Sequence, residues 1–382
     1  MLAAKPLQTF DDWVDLFRSW RDDIGYDSKL LQWFDFDAYY GDVPNEIEFG
    51  DYCGDRRWER VIEIPDQRIR DALLTLIVFQ GDTEFASVEQ QKNLLESAPS
   101  LYDQQSLVRV NAEEMRHGWQ MCHILVQHFG ETGKREAIKL LERRAWNRDR
   151  LLGSFNEDID NWVDFFIFTN FVDRDGKFQL EMLSTSAFKP LAASMGPMLK
   201  EERFHMATGN NGMKRIVKAG AIDRDVFQRY LNKWLSTAFD LFGTDHSSSA
   251  HWGYVWGLKG RFGEREAHAA GEQVEKAALN ERARRMYIEE VRGLIEALNA
   301  EKPADWPALT MPDPRFHRAI GDFARKRYSV GGELLSEQQY TEHLTAVLPS
   351  ESDKQYLRDL MKRSDWIAPP PKERLFDPAT GK

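Results

Sequence analysis

The sequence of 382 residues contains only two cysteines, Cys53 and Cys122, which lie far apart in the chain. Two cysteines are too few to hold an iron–sulfur cluster, and we expect both to be reduced thiols. The sequence also lacks a Gly-x-Gly-x-x-Gly loop, the pattern by which many proteins bind a flavin or a nicotinamide. If the protein catalyses a redox reaction, its electrons must therefore come from another protein.

Long apolar stretches are absent as well. No run of about 18 uncharged apolar residues could span a membrane, and residues 1–8 lack the apolar core of a signal peptide. The 62 acidic residues exceed the 51 basic ones and give a net charge of −11, which disfavours nucleic acid or an anionic membrane as a general partner. We expect a soluble, cytoplasmic protein with no nucleic acid and no membrane among its partners.

The sequence does contain the pattern Glu-Glu-x-x-His twice. In each copy the second glutamate and the histidine are three residues apart, Glu114 with His117 and Glu202 with His205, so each pair lies on one face of a helix. Both pairs interrupt an apolar stripe of helical period, where an uncompensated carboxylate costs several kcal/mol. A metal ion would compensate that charge, and two such helices that face each other form a dinuclear metal site.

A dinuclear site of this kind needs one further acid from each of two more helices. Residues 66–97 form a predicted helix with Glu84 on its apolar face. Residues 159–183 form another, which is almost entirely apolar until Asp173 and Asp175. Asp173 continues the face of the preceding apolar residues and Asp175 points elsewhere, so we assign Asp173 to the site.

The four acids repeat with nearly constant spacing. Glu114 follows Glu84 by 30 residues, and Glu202 follows Asp173 by 29. Such repetition of a helical hairpin that carries half a site is typical of a ferritin-like bundle. We therefore predict an all-α fold, a ferritin-like four-helix bundle with a carboxylate-bridged di-iron site and additional N- and C-terminal helical elements. The alternative is that these residues are capping or salt-bridged side chains on ordinary amphipathic helices.

Other polar residues are candidates for supporting roles. Gln80 lies one turn before Glu84, and Arg116 and Arg203 each precede a histidine of the motif, so they could orient carboxylates or form surface salt bridges. His246 and His251 are rival metal ligands, but they lack an acid partner three residues away on a helix. We expect these two histidines to serve in hydrogen bonding or substrate contact.

The stretches around the acids and histidines resemble a known family. Residues 80–84, 110–117, 173–180 and 199–205 are similar to the family of the oxygenase component of benzoyl-CoA 2,3-epoxidase, within ferritin-like di-iron proteins that include the phenylacetyl-CoA epoxidase catalytic subunit. The resemblance covers roughly residues 66–260. We expect this chain to be shorter at both ends than the family's enzyme. It implies that two iron ions are bound by Glu84, Glu114, His117, Asp173, Glu202 and His205. Glu114 and Asp173 are then the bridging carboxylates, and the four acids are the catalytic residues.

The resemblance also implies a reaction. A di-iron monooxygenase would use O2 as co-substrate to epoxidise the ring of an aromatic acyl-CoA thioester, and a separate NAD(P)H-dependent flavin or iron–sulfur reductase would supply electrons. Lys259 and Arg261 are candidates to bind the phosphates of the nucleotide. The alternatives are a di-iron hydroxylase or N-oxygenase acting on another carrier-bound or free aromatic substrate, and a non-catalytic ferritin-like subunit.

Composition and helical period divide the chain into four parts. We also predict that residues 265–300 form one strongly charged helix with a solvated face. The parts are an N-terminal helical and irregular lid (1–65), the di-iron four-helix bundle (66–220), additional helices that pack on the bundle (221–300), and a proline-rich linker with C-terminal helices and a tail (301–382).

Overall fold

The computed structural model describes residues 9–26, 37–276 and 278–371. Within these residues the chain is helical and forms isolated β-bridges but no strand, so the all-α prediction is confirmed. None of the described helices is both long and apolar enough to cross a membrane. The α-helices are α1 (Phe10–Asp23), α2 (Gln67–Gln91), α3 (Leu101–His128), α4 (Gly130–Glu142), α5 (Trp162–Leu183), α6 (Lys189–Ala219), α7 (Arg224–Leu241), α8 (Ser248–Val255), α9 (Glu264–Ala269), α10 (Leu279–Glu301), α11 (Glu337–Val347) and α12 (Glu351–Leu360).

The bundle helices begin where the sequence supplies a capping side chain. Asp66 accepts a hydrogen bond from a backbone N–H in the first turn of α2, and Ser100 and Asn161 do the same for α3 and α5. Pro190 occupies the first turn of α6, where a missing N–H costs no hydrogen bond. These caps fix the axial position of each helix and therefore the height of its acid in the bundle.

The bundle consists of two helical hairpins, α2 with α3 and α5 with α6, and α3 packs against α6. Glycines allow α5 and α6 to approach closely. A Cβ atom at Gly209 would overlap the backbone of α5 at Phe166 and Asn170, and one at Gly212 would overlap the Phe166 ring. The ligand-bearing faces of the two helices are thus brought together by backbone proximity as well as by side-chain packing.

The helices after the bundle belong to the same core. The stripe Ala283, Tyr287, Val291 and Leu298 of α10 is buried, and the Tyr287 hydroxyl donates to the backbone carbonyl of Phe171 at 2.9 Å. The predicted helix over residues 265–300 is therefore interrupted, and α10 has a buried apolar stripe opposite its solvated face. The chain forms α9, leaves the helical conformation and resumes it in α10, whose apolar stripe packs against α5 and α6.

The described part of the predicted lid contacts both hairpins. Gly41 and Trp58 form backbone hydrogen bonds with Ala193 and Lys189 of α6, whereas α1 packs on the outside of the first hairpin. Phe17 and Trp20 of α1 contact Phe85 of α2, and Phe17 also contacts Trp119 of α3. Residues 1–8 and 27–36 of the lid and residues 372–382 of the tail lie outside the described residues. The division of the chain into four parts stays a prediction.

Candidate metal centre

The fold brings together all six residues that the sequence assigns to a metal site, at mid-length of the bundle. Each of them is buried, with at most 8% of its surface exposed. One group of possible ligand atoms within 4.8 Å of each other comes from Glu84, Glu114 and His117. A second such group comes from Glu114, Asp173 and His205. Glu114 belongs to both groups, which is the arrangement that a carboxylate between two metal ions requires.

The two histidines direct the same ring nitrogen toward the centre. His117 Nδ1 lies 3.3 Å from Glu84 Oε2 and 3.7 Å from Glu202 Oε1. His205 Nδ1 lies 3.5 Å from Glu114 Oε1 and 3.4 Å from Glu202 Oε2. Glu202 therefore faces both histidines, and these carboxylates around the two Nδ1 atoms come from α2, α3 and α6.

The first glutamate of each motif holds the histidine of the opposite motif. His117 Nε2 lies 2.8 Å from Glu201 Oε2, and His205 Nε2 lies 3.0 Å from Glu113 Oε2. If each Nε2 carries the proton and donates it to its glutamate, Nδ1 keeps a lone pair for a metal ion. Sequence reasoning gave these two glutamates no role, although the doubled glutamate in both copies was the available signal.

Two arginines bind Glu113 and Glu201, the outer glutamates of the centre. Arg116 forms an ion pair with Glu201, and Arg109 donates to Glu113 at 2.9 Å. Arg116 is thus connected to the centre, as its sequence position suggested. Arg203 is exposed and is not brought to the centre, because its position in α6 faces solvent.

Further hydrogen bonds reach the first hairpin's carboxylates. Gln80 Nε2 donates to Glu84 Oε1, so the orienting role considered for Gln80 has a structural basis. Ser87 Oγ donates to Glu114 Oε1 at 3.3 Å. The rival ligands are elsewhere, since His246 and His251 are exposed and belong to neither group of possible ligands.

Burial and mutual repulsion set the protonation of the centre. Burial, and then the nearby Glu84 carboxylate, raise the pKa of Glu114 well above its usual range. Burial and Glu202 do the same to the pKa of Asp173. Burial alone would lower the pKa of His117, but hydrogen bonds to Glu201 and Glu84 raise it to about 9. Without a metal ion the site therefore retains protons that a bound cation would displace.

The donor set fits two divalent cations. Asp173 Oδ2, Glu202 Oε2 and His205 Nδ1 are buried atoms without a hydrogen-bond partner in the described structure, and such atoms are rare unless a ligand or an ion uses them. Four carboxylates carry four negative charges, which two divalent ions would neutralise with both imidazoles uncharged. Oxygen and imidazole donors of this kind suit iron or manganese.

A cavity of about 410 Å³ opens onto the carboxylate side of the centre. Its wall includes the four acids but, among the described residues, neither His117 nor His205. The remaining wall combines polar side chains with apolar ones, which come from Leu76, Phe79, Leu152, Phe155, Val172, Leu180, Met182, Leu183, Leu241, Phe242 and Leu279. The centre therefore has a cavity face, formed by carboxylates, and an outer face, formed by the imidazole–glutamate–arginine contacts.

The two residues predicted to bind phosphate lie differently. Lys259 lines the cavity. Arg261 does not, because its buried guanidinium pairs with Glu264 at 3.3 Å and faces backbone carbonyls of residues 272 and 273. No described residue before Leu76 lines the cavity, so the described part of the predicted lid does not cover it.

Comparison with known proteins agrees with this geometry. The family model described as phenylacetic acid catabolic protein matches residues 62–320. Benzoyl-CoA oxygenase component B of Aromatoleum evansii is 37% identical, over 96% of this chain and 93% of that protein. The chain belongs to the phenylacetic acid catabolic protein family. One of the subunits of the 1,2-phenylacetyl-CoA epoxidase of Escherichia coli K12 is 20% identical, over 65% of this chain and 71% of its own length.

The resemblance inferred from the sequence is confirmed and extends further than predicted. The sequence motifs indicate roughly residues 66–260, whereas the match to the Aromatoleum protein covers 96% of the chain. The aligned region spans 444 positions and this chain has 382 residues. The alignment therefore contains gaps in this chain, and the expectation of a chain shorter at both ends stays a prediction.

Proposed function

We propose that the protein is the oxygenase component of a di-iron monooxygenase that epoxidises the ring of an aromatic acyl-CoA thioester such as benzoyl-CoA. The observation that carries the proposal is a buried centre of four carboxylates and two histidines that opens onto an apolar cavity. The similarity to benzoyl-CoA oxygenase component B supports the choice of substrate. Retention of all six ligands argues against a non-catalytic ferritin-like subunit.

The chemistry of the proposed reaction defines what the protein must supply. A bound pair of iron ions would activate O2, so that one oxygen atom enters the substrate and the other leaves as water after two electrons and two protons are added. The four carboxylates would hold the ions from the cavity side. Glu113 and Glu201 would hold the imidazoles in the tautomer that leaves Nδ1 free.

The electrons must arrive from outside this chain. Its two cysteines are an exposed Cys53 and a buried Cys122, which provide no cluster, and the sequence contains no dinucleotide-binding loop. We propose a separate NAD(P)H-dependent flavin or iron–sulfur reductase as the partner. The designation "component B" of the Aromatoleum relative is in keeping with a multi-component enzyme.

The cavity determines which part of the substrate enters. Apolar side chains such as Phe79, Phe155 and Val172 line the space beside the acids, so an aromatic ring is stabilised there by burial of its apolar surface. The nucleotide of the coenzyme is strongly charged and would remain in solvent. Its binding energy would position the ring, so a substrate without the nucleotide should lose turnover as well as affinity.

The test is aerobic turnover of the iron-loaded protein with a reductase, against benzoyl-CoA, benzoate and other aromatic acids and their thioesters, with products identified by mass. The proposal predicts an epoxide from benzoyl-CoA and no product from benzoate. Hydroxylated or N-oxygenated products would favour the alternative enzymes, and equal turnover of benzoate would remove the carrier requirement. Loss of turnover in Glu114→Ala, but not in the exposed Arg203→Ala control, would tie the activity to the centre.

A further inference from the structure

We propose that the Lys259 ammonium binds the carbonyl oxygen of the substrate's thioester, and thereby selects an acyl group over other aromatic ligands. This inference rests on the proposed function and deepens it. It differs from the phosphate role that the sequence suggested for Lys259. Three features of Lys259 support this contact: its anchoring, its position in the cavity, and the donors that it leaves available.

Lys259 is anchored to the wall that also carries a metal ligand. Its Nζ donates to Gln179 Oε1 at 2.6 Å, and Gln179 Nε2 donates in turn to Asp175 Oδ1 at 3.0 Å. The next residue, Gly260, donates its backbone N–H to the Met182 carbonyl at 3.0 Å. Lys259, Gln179 and Asp175 all line the cavity. The ammonium is therefore held against α5 and does not extend freely into solvent.

Its depth matches the acyl end of a substrate. Gln179 follows Asp173 by six residues on α5, which corresponds to a rise of about 9 Å along the helix. In an aroyl thioester the carbonyl carbon is bonded directly to the ring, so a ring beside the acids brings the carbonyl oxygen toward Lys259. The phosphates are separated from that carbonyl by the whole pantetheine arm, which extends toward solvent.

The ammonium retains donors for a ligand. A lysine has three N–H donors, and Gln179 accepts one of them. Burial lowers the pKa of Lys259, and the charges of Asp175 and Asp245 act against that shift. A partly buried ammonium whose hydrogen-bond partner is a neutral amide costs free energy that an apolar side chain would not. An acceptor delivered by the substrate gives this arrangement a function.

Equilibrium binding to the metal-free protein tests the contact without turnover. The ligands are benzoyl-CoA, its thioether S-benzyl-CoA, which has a methylene in place of the carbonyl, and benzoyl-pantetheine, which lacks the nucleotide phosphates. We expect the wild-type protein to bind benzoyl-CoA about tenfold more tightly than S-benzyl-CoA. Lys259→Met should abolish that preference and should weaken benzoyl-pantetheine as much as benzoyl-CoA. Lys139→Met, a change at an exposed lysine of α4, is the matched control.

The outcomes separate this inference from the proposed function. Equal wild-type affinity for benzoyl-CoA and S-benzyl-CoA would overturn the carbonyl contact. The contact would also be overturned if Lys259→Met weakened the binding of benzoyl-CoA but not of benzoyl-pantetheine, because that result would indicate a phosphate contact. Failure of the wild-type protein to bind any of the three ligands would overturn the proposed substrate as well. If Lys259→Met does not fold, Lys259→Gln, which keeps a neutral donor, should retain part of the preference, and an unchanged preference would contradict the proposal.

Discussion

The α2–α3 hairpin and the α5–α6 hairpin supply equivalent candidate ligands, an acid from one helix and an acid with a histidine from the other, yet they hold these side chains differently. In the first hairpin both carboxylates are oriented by other side chains. Gln80 donates to Glu84, and Ser87 donates to Glu114. These bonds position the carboxylates without any cation.

The second hairpin leaves three of its candidate ligand atoms without a hydrogen bond. Asp173 Oδ2, Glu202 Oε2 and His205 Nδ1 have no hydrogen-bond partner within the part of the chain that the structure describes. The first hairpin would therefore be preorganised for a metal ion, whereas the second would need one to compensate its buried polar atoms. The sequence repeat therefore does not make the two halves of the centre physically equivalent.

The largest effect should come from removing an acid of the second hairpin. Asp173→Asn keeps the side-chain size but removes a charged ligand, so the protein should lose at least one of its two metal ions. Asp175→Asn is the matched control, because Asp175 is buried two residues away and binds Gln179. Metal analysis after reconstitution and desalting measures the difference. Metal loss in the Asp175 variant alone would show that Asp175, and not Asp173, is the ligand.

The outer glutamates test how each half holds its histidine. Glu201→Gln and Glu113→Gln should each weaken metal binding by about ten- to a hundredfold, because a neutral amide holds the imidazole tautomer less strongly. Replacing the arginines by methionine should have smaller effects. Arg116→Met should exceed Arg109→Met, since the side chains of these arginines are 16% and 36% exposed and solvent weakens the more exposed pair. Competition with a chelator gives these affinities, and unchanged affinity in both glutamine variants would contradict the account.

A smaller effect is expected for Gln80→Met, which removes the donor to Glu84 in the preorganised half. Metal affinity should fall by about tenfold or less, because one hydrogen bond to a charged group is lost while the ligand itself remains. Thr83→Val is the control, since Thr83 donates to the Gln80 backbone carbonyl and not to a ligand. Equal affinities of Gln80→Met and Thr83→Val would show that the Gln80 contact does not preorganise the first hairpin.

The pH dependence of stability should reveal the protons held in the metal-free centre. The raised pKa values of Glu114, Asp173 and His117 mean that the folded state keeps protons that the unfolded chain loses. The contribution of these three groups to the free energy of unfolding should therefore fall as the pH rises from about 4.5 to about 9. Urea titrations should give a shallower fall for Asp173→Asn, and metal loading should remove it. An equally steep pH dependence in Asp173→Asn and in the wild-type protein would contradict the pKa directions.

The sequence predicted which acids and histidines lie together in the bundle, because helical periodicity decides which residues share a face. It could not assign Glu113 and Glu201, since each binds a histidine on the other helix, and periodicity within one helix carries no information on contacts across helices. Proximity in sequence led to one wrong expectation, a shared role for Lys259 and Arg261. Lys259 and Arg261 are two residues apart, but only Lys259 lines the cavity, while Arg261 turns toward Glu264.

The central claim is that the two hairpins together bind a pair of iron ions, and the most direct measurement is anaerobic titration of the metal-free protein with ferrous ions. We expect saturation at about two irons per chain, magnetic coupling between them, and reaction with O2 after reduction. Binding of one iron per chain, or of two uncoupled ions that do not react with O2, would contradict the account.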